Sequence, residues 1–245
     1  MLKKFLRDRR GFGIVTVLIA VFCVAAMGTA LLYTAYTGFQ VKAAARKSTD
    51  SFYAAETAMD EIRAGLQQAA SDCIGRAYTA MLANYADYVA EYEASERNET
   101  GTKQTMTRSG YLNQKFQDLF LKELRAWKYG NEALLTQDAN TKAWTANPAV
   151  LKAFLLKSSR NSPALSEDEV TVEADEANQT ITLTGVKLTC AGENGYETLL
   201  TTDLRIRMPS FSDTSSGCVT PNSAETGASG WDVDELVVYI NWKKS

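Results

Sequence analysis

The chain contains no histidine. That excludes Ser-His-Asp and Cys-His nucleophilic arrangements and every metal site built on imidazole. Enzymes can work without histidine, through paired carboxylates or Ser-Lys pairs, but no acid pair at useful spacing, nucleophile elbow or Gly-rich phosphate loop accompanies the absence. No catalytic activity and no cofactor are therefore expected. Proline is also scarce, with four in 245 residues and none before Pro148, so nothing of that kind interrupts a helix in the first part of the chain. Cysteine occurs four times, at Cys23, Cys73, Cys190 and Cys218, never at the close spacing of a zinc site. Charge is missing altogether from Gly11 to Val41, a run of 31 residues. Clustered positive charge is missing beyond the first residues. The nearest approach is Lys42, Arg46 and Lys47, which is too little to displace counterions from a phosphate backbone, so no nucleic-acid partner is expected.

What is present begins with a short basic leader. Residues 1–11 carry Lys3, Lys4, Arg7, Arg9 and Arg10 against Asp8, a net +4, which leaves −7 for the remainder of a chain at −3. The uncharged run that follows exceeds the roughly 20 apolar residues that cross a bilayer. It is also longer than the apolar core of a cleavable signal peptide, about 7–15 residues. Positive residues flanking a span tend to remain cytoplasmic. The expected arrangement is a single-pass anchor in membrane lipid, with the N-terminus cytoplasmic and the acidic bulk outside.

Beyond Val41 the helical pattern continues. Phe52, Ala55, Met59, Ile62, Leu66, Ala69, Cys73, Ala77, Met81, Tyr85, Tyr88 and Tyr92 recur at spacings of three and four, one stripe of an α-helix. The polar positions between them, among them Asp60, Arg63 and Asp72, are expected to face water or neighbours. This predicts one helix from near Phe12 to about Glu93, with Gly28, Gly38, Gly65 and Gly75 as points of bending or fraying. Residues 96–110 are polar and read as a loop. Helices are expected at Tyr111–Tyr129 and Pro148–Ser158. From Glu169 the period changes to two, giving strands around Val170–Val172, Ile181–Leu188 and Thr198–Met208, and a fourth at Leu236–Trp242. The expected fold class is α+β: a long transmembrane-plus-amphipathic helix, then a head of short helices and a C-terminal antiparallel sheet. Its divisions are a leader over 1–11, a transmembrane helix over 12–41, a stalk over 42–94 and an extracytoplasmic head over 95–245.

The boundary Arg9-Arg10-Gly11-Phe12-Gly13-Ile14-Val15-Thr16-Val17-Leu18 resembles the cleavage region of type IV prepilins and pseudopilins. The resemblance implies leader removal between Gly11 and Phe12 by a prepilin peptidase and N-methylation of Phe12. The fifth mature residue of those families is usually Glu, which neutralises a neighbouring subunit's terminal amine; here it is Thr16. A hydroxyl can hydrogen-bond an ammonium but cannot neutralise it, so stacking into a long homopolymer is not implied. The segment Phe52-Tyr53-Ala54-Ala55-Glu56 is similar to one carried by PilX-like minor pilins at about this distance from the membrane helix. Together the two matches cover about the first 65 residues. They imply a pilin-like fold and a structural role as a minor pilin or pseudopilin, at a filament tip or in initiation. Other pilins and pilus assembly-platform proteins would be its partners. The competing reading is a permanent signal-anchored membrane protein with an extracytoplasmic binding head.

Three further features carry weaker expectations. Cys190 and Cys218 could close a disulfide across 28 residues, worth roughly 3 kcal/mol, although Cys73 could pair with either. Asp213, Asp232, Asp234 and Glu235 cluster carboxylates without EF-hand spacing, and solvated acids are expected rather than a metal site. Tyr78, Tyr85, Tyr88 and Tyr92 are expected to pack beneath the head rather than to form a ligand platform.

Overall fold

The structure, a computed structural model, describes residues 9–97, 106–139, 141–155, 163–166, 168–175, 177–191, 197–211, 219–221 and 236–244, without the side chains of 9–12, 96–97 and 219–221. The chain forms two compact units, residues 1–50 and 51–245. The class is α+β, with a long apolar N-terminal helix and a C-terminal antiparallel sheet.

Helix α1 (Arg9–Ala83) runs for 75 residues. In the first unit it has no core to join. Every large apolar side chain from Ile14 to Val41 is exposed, Phe22 and Phe39 by as much as 75% and 78%. An apolar surface of that extent is not sustained in water by a monomeric domain, and by length and composition the helix can cross a membrane. Three of its threonine hydroxyls bond to the helix's own carbonyls. Thr29 donates to Ala26 O, Thr34 to Leu31 O, and Thr37 to Tyr33 O and Thr34 O, all at 2.9–3.0 Å. That is the arrangement a hydrocarbon surrounding demands of polar groups.

From Ser51 onward the same helix is core. Ala55, Met59, Ile62, Leu66, Ala69, Cys73, Ala77 and Met81 are all fully buried, at the spacings the sequence predicts. The glycines do not interrupt the helix. Gly65 instead gives room: a Cβ there would lie 2.2 Å from Cγ of Phe154. Gly65→Leu is therefore expected to destabilise the second unit by about 1–3 kcal/mol through overpacking, despite the better helix propensity. A thermal melt with no loss would show that Phe154 can leave without cost. The predicted single helix to Glu93 is divided at Asn84, after which α2 (Tyr85–Arg97) begins. There the Asn84 side chain donates to Ala80 O at 2.8 Å, a carbonyl that also accepts from Asn84 N at 3.2 Å.

Helix α3 (Arg108–Ala126) starts earlier than predicted because Thr107 caps it, its Oγ1 accepting from Gly110 N. It stops short of Tyr129 because Lys128–Tyr129 (β1) pairs with Glu132–Ala133 (β2) across Gly130, φ 61°. Helix α4 (Pro148–Phe154) has Pro148 in its first turn as expected, is capped by Asn147, and ends at Leu155 rather than Ser158.

The main sheet has seven strands. β3 (Leu135–Gln137), β4 (Trp144–Ala146), β6 (Val170–Asp175), β7 (Thr180–Ala191), β8 (Glu197–Arg207) and β11 (Val237–Lys244) lie in the order β11-β8-β7-β6-β4-β3, and β5 (Ala164–Leu165) pairs with β7. All pairings are antiparallel. β9 (Pro209–Phe211) and β10 (Val219–Pro221) form a separate pair. The four predicted strands are present as β6, β7, β8 and β11; β3, β4 and β5 have no counterpart in the sequence reading. In β7 the buried set is Ile181, Leu183, then Val186, Leu188, Cys190. The change of parity is a bulge at Gly185, φ 87°, which returns the later residues to the core face. Asp203 anchors it, one carboxylate oxygen accepting from Gly185 N at 2.9 Å and the other from the Asn241 amide on β11 at 2.7 Å. The helical stripe and the inner sheet face belong to one hydrophobic cluster.

Candidate functional site

Gly11 and Phe12 lie within α1, near its start; their side chains are outside the described residues. Thr16, two turns on, is exposed. It stands in the unburied apolar part of the helix. Residues 13–26 are exposed along one uninterrupted stretch of that helix.

The segment Phe52–Glu56 belongs to the second unit. Ala55 is fully buried and Phe52 half-buried, as the stripe predicts, and the Lys244 ammonium sits 4.4 Å from the Phe52 ring centre. Tyr53 points outward at 59% exposure. Ala54 packs partly against the core. Glu56 is half-buried. Beside it the buried Ser51 Oγ and Thr198 Oγ1 are 2.8 Å apart, tying the helix to the start of β8.

One turn further lies a junction that sequence reasoning missed. Arg63 Nε donates to Val237 O at 2.8 Å, and its guanidinium lies 5.4 Å from the centre of the Tyr239 ring. The Tyr239 hydroxyl donates to Asp60 Oδ1 at 2.6 Å. Burial, reinforced by that carboxylate, pushes the Tyr239 phenol well above its ordinary range. Asp60, exposed as expected, and the half-buried Arg63 together clamp the last strand to the helix. The contacts join residues 174 and 179 positions apart, and no local pattern signals them.

The tyrosines are packed, not presented. Tyr78, Tyr85 and Phe116 all meet the Phe211 ring, at centroid distances of 6.5, 6.4 and 5.8 Å. Tyr92 meets Tyr111 at 5.6 Å, and Lys115 lies 5.5 and 5.2 Å from the Tyr88 and Tyr111 ring centres.

Cys73 and Cys190 are buried free thiols, and Cys23 is exposed on the first unit. Cys218, and with it the proposed pairing to Cys190, lies outside the described residues, as do Asp213, Asp232, Asp234 and Glu235. Among the described residues no three His, Cys, Asp or Glu side chains converge as metal ligands would. Burial pushes the Cys73 thiol up to about 12, with Arg76 opposing and Glu123 and Asp72 adding, and burial alone pushes Cys190 up to about 11. Both are poor nucleophiles at neutral pH. A raised folded-state pKa contributes stability that is present below the ordinary thiol value and lost as pH rises through the folded value. Thermal stability is thus expected to fall from about pH 9. A Cys73→Val/Cys190→Val variant should fall less steeply between pH 9 and 11 in melts across that range. Parallel slopes would refute the assignment.

These features define an α+β chain with one candidate membrane span near its N-terminus. No family model, no curated protein and no solved structure matches it.

Proposed function

We propose that the protein is a structural minor pilin or pseudopilin, similar to the PilX-like group, of a type IV pilus or related secretion filament. The observation that carries this reading is the continuity of α1. One helix leaves the basic Arg9-Arg10-Gly11-Phe12 boundary, passes through the charge-free run, and becomes a central core element of the folded head. Such a helix can be drawn from lipid and packed among others while its far part holds the head. The chemistry is done to the protein: a prepilin peptidase cuts between Gly11 and Phe12 on the cytoplasmic side, and Phe12 is methylated. The head is extracytoplasmic. Thr16 offers a hydrogen bond but no charge to a neighbouring terminal amine, which suits a subunit that caps or initiates a filament among other pilins and assembly-platform proteins.

Mass spectrometry of the protein isolated from its native membrane tests this. The expected mature N-terminus is N-methyl-Phe12. An intact leader beginning at Met1 would overturn the reading in favour of a permanent signal-anchored protein with an extracytoplasmic binding head. Given N-methyl-Phe12, finding many copies along each filament rather than few would overturn the tip or initiation role alone.

A further inference from the structure

A cavity of about 420 Å³ opens within the second unit between α3 and the turn that joins β6 to β7. Its wall on α3 includes Asn113, Gln114, Gln117 and Asp118, with Leu121 one turn on; Gln179 lines it from the turn, and Met106 and Met208 are also in the lining. Four carboxamides around one cavity is an unusual chemistry. Each presents a donor and an acceptor side by side, the pattern of a peptide group.

One of the carboxamides and the backbone of another of these residues are held in place. Asn113 Oδ1 accepts from Phe211 N at 2.7 Å, and the backbone of Gln179, at φ 54°, accepts from Met208 N at 2.8 Å. The Gln117 carboxamide is unsatisfied: the residue is 9% exposed, and its Nε2 has no hydrogen-bond partner among the described residues. A buried donor left unpaired is costly, and a ligand acceptor reached by a small rotation of that amide would relieve it. Among the described residues no aromatic ring lines the cavity on which a sugar could stack. The apolar part is two thioethers and a leucine, which adapt to varied side chains. Among the described residues Asp118 is the only charged group in the lining, and it disfavours acidic ligands.

We propose that this cleft binds an extended peptide segment lacking acidic side chains, with the carboxamides of Gln114 and Gln117 pairing to its backbone. The proposal does not depend on the filament reading. The test uses the full chain, ¹⁵N-labelled, in detergent micelles. Acetyl-trialanine N-methylamide is titrated in while the side-chain amide signals are followed by NMR. The expected result is a saturable shift of the Gln114 and Gln117 amide signals. Gln117→Met, which keeps the volume, and Gln114→Ala, at an exposed position, should each weaken binding by about three- to tenfold, the usual worth of one hydrogen bond. Absence of a saturable shift would overturn the proposal. So would unchanged affinity in the Gln114→Ala protein, whose fold the exposed substitution leaves intact. Maltose reproducing the same shifts at the same concentration would also overturn it, pointing to a saccharide site instead.

Discussion

Arginine at both Val24 and Met27 is expected to release most of the protein from the membrane fraction. These residues lie near the middle of the charge-free run and are 70% and 67% exposed on α1, so each guanidinium would meet lipid with no side chain of this chain beside it. A charged residue at the centre of a spanning helix costs about 2.5–3.5 kcal/mol on insertion scales. The pair would therefore cost about 5–7 kcal/mol against favourable contributions of only a few tenths per Leu, Ile, Phe or Val. Sliding the helix cannot rescue both charges, because about 13 uncharged residues lie on either side of them. Sedimentation after alkaline carbonate extraction measures the effect, with Val24→Leu/Met27→Leu as the control expected to stay in the pellet. Retention of the double-arginine protein in lipid, in a form that detergent still dissolves, would show that residues 13–41 are not the anchor.

The features legible in the sequence are those set by local period. The three-and-four spacing from Ala55 to Met81 marks the buried face of α1 residue by residue, and the period of two from Val170 marks the sheet. Features set by a partner distant in sequence were not legible. The glycine at 65 reads as a weak point in a helix until Phe154, 89 residues later, is seen to occupy the missing side chain's place. The strands Leu135–Gln137 and Trp144–Ala146 are three residues each, too short for alternation to register. At Asn84 the side chain and the backbone N–H share one carbonyl, Ala80 O, a local feature that the good helix formers around it hide in the sequence. The same division applies to the site. The leader, Gly11, Phe12 and Thr16 are readable as a string. The clamp of Asp60 and Arg63 on the last strand and the carboxamide cleft exist only once α1 meets β11 and α3 meets the β6–β7 turn.

Truncating Phe116 to alanine should be the most damaging single change in the second unit. Phe116 is fully buried, on the face of α3 that carries Leu112, Phe120 and Leu124. Its ring meets Phe211 of β9, and Phe211 in turn meets Tyr78 of α1 and Tyr85 of α2. Three helices are thus joined to one strand through a single phenylalanine, and Phe116 is the largest wholly buried member of that contact. Removing a buried phenylalanine costs about 3–5 kcal/mol in transfer and cavity terms, a large share of the 5–15 kcal/mol that typically holds a domain together. For a unit of this size the melting temperature should drop by roughly 6–20 °C, followed by circular dichroism of the detergent-solubilised protein. Phe211→Ala should cost a similar amount. The double variant should cost less than the sum, because each single change already abolishes the shared contact. Strict additivity would show that the rings pack independently. Under the filament reading the loss should leave leader removal untouched, because the peptidase acts at Gly11 and Phe12, in the other compact unit. N-methyl-Phe12 recovered from a variant whose head is cleared by protease would separate failure of the head from failure of processing.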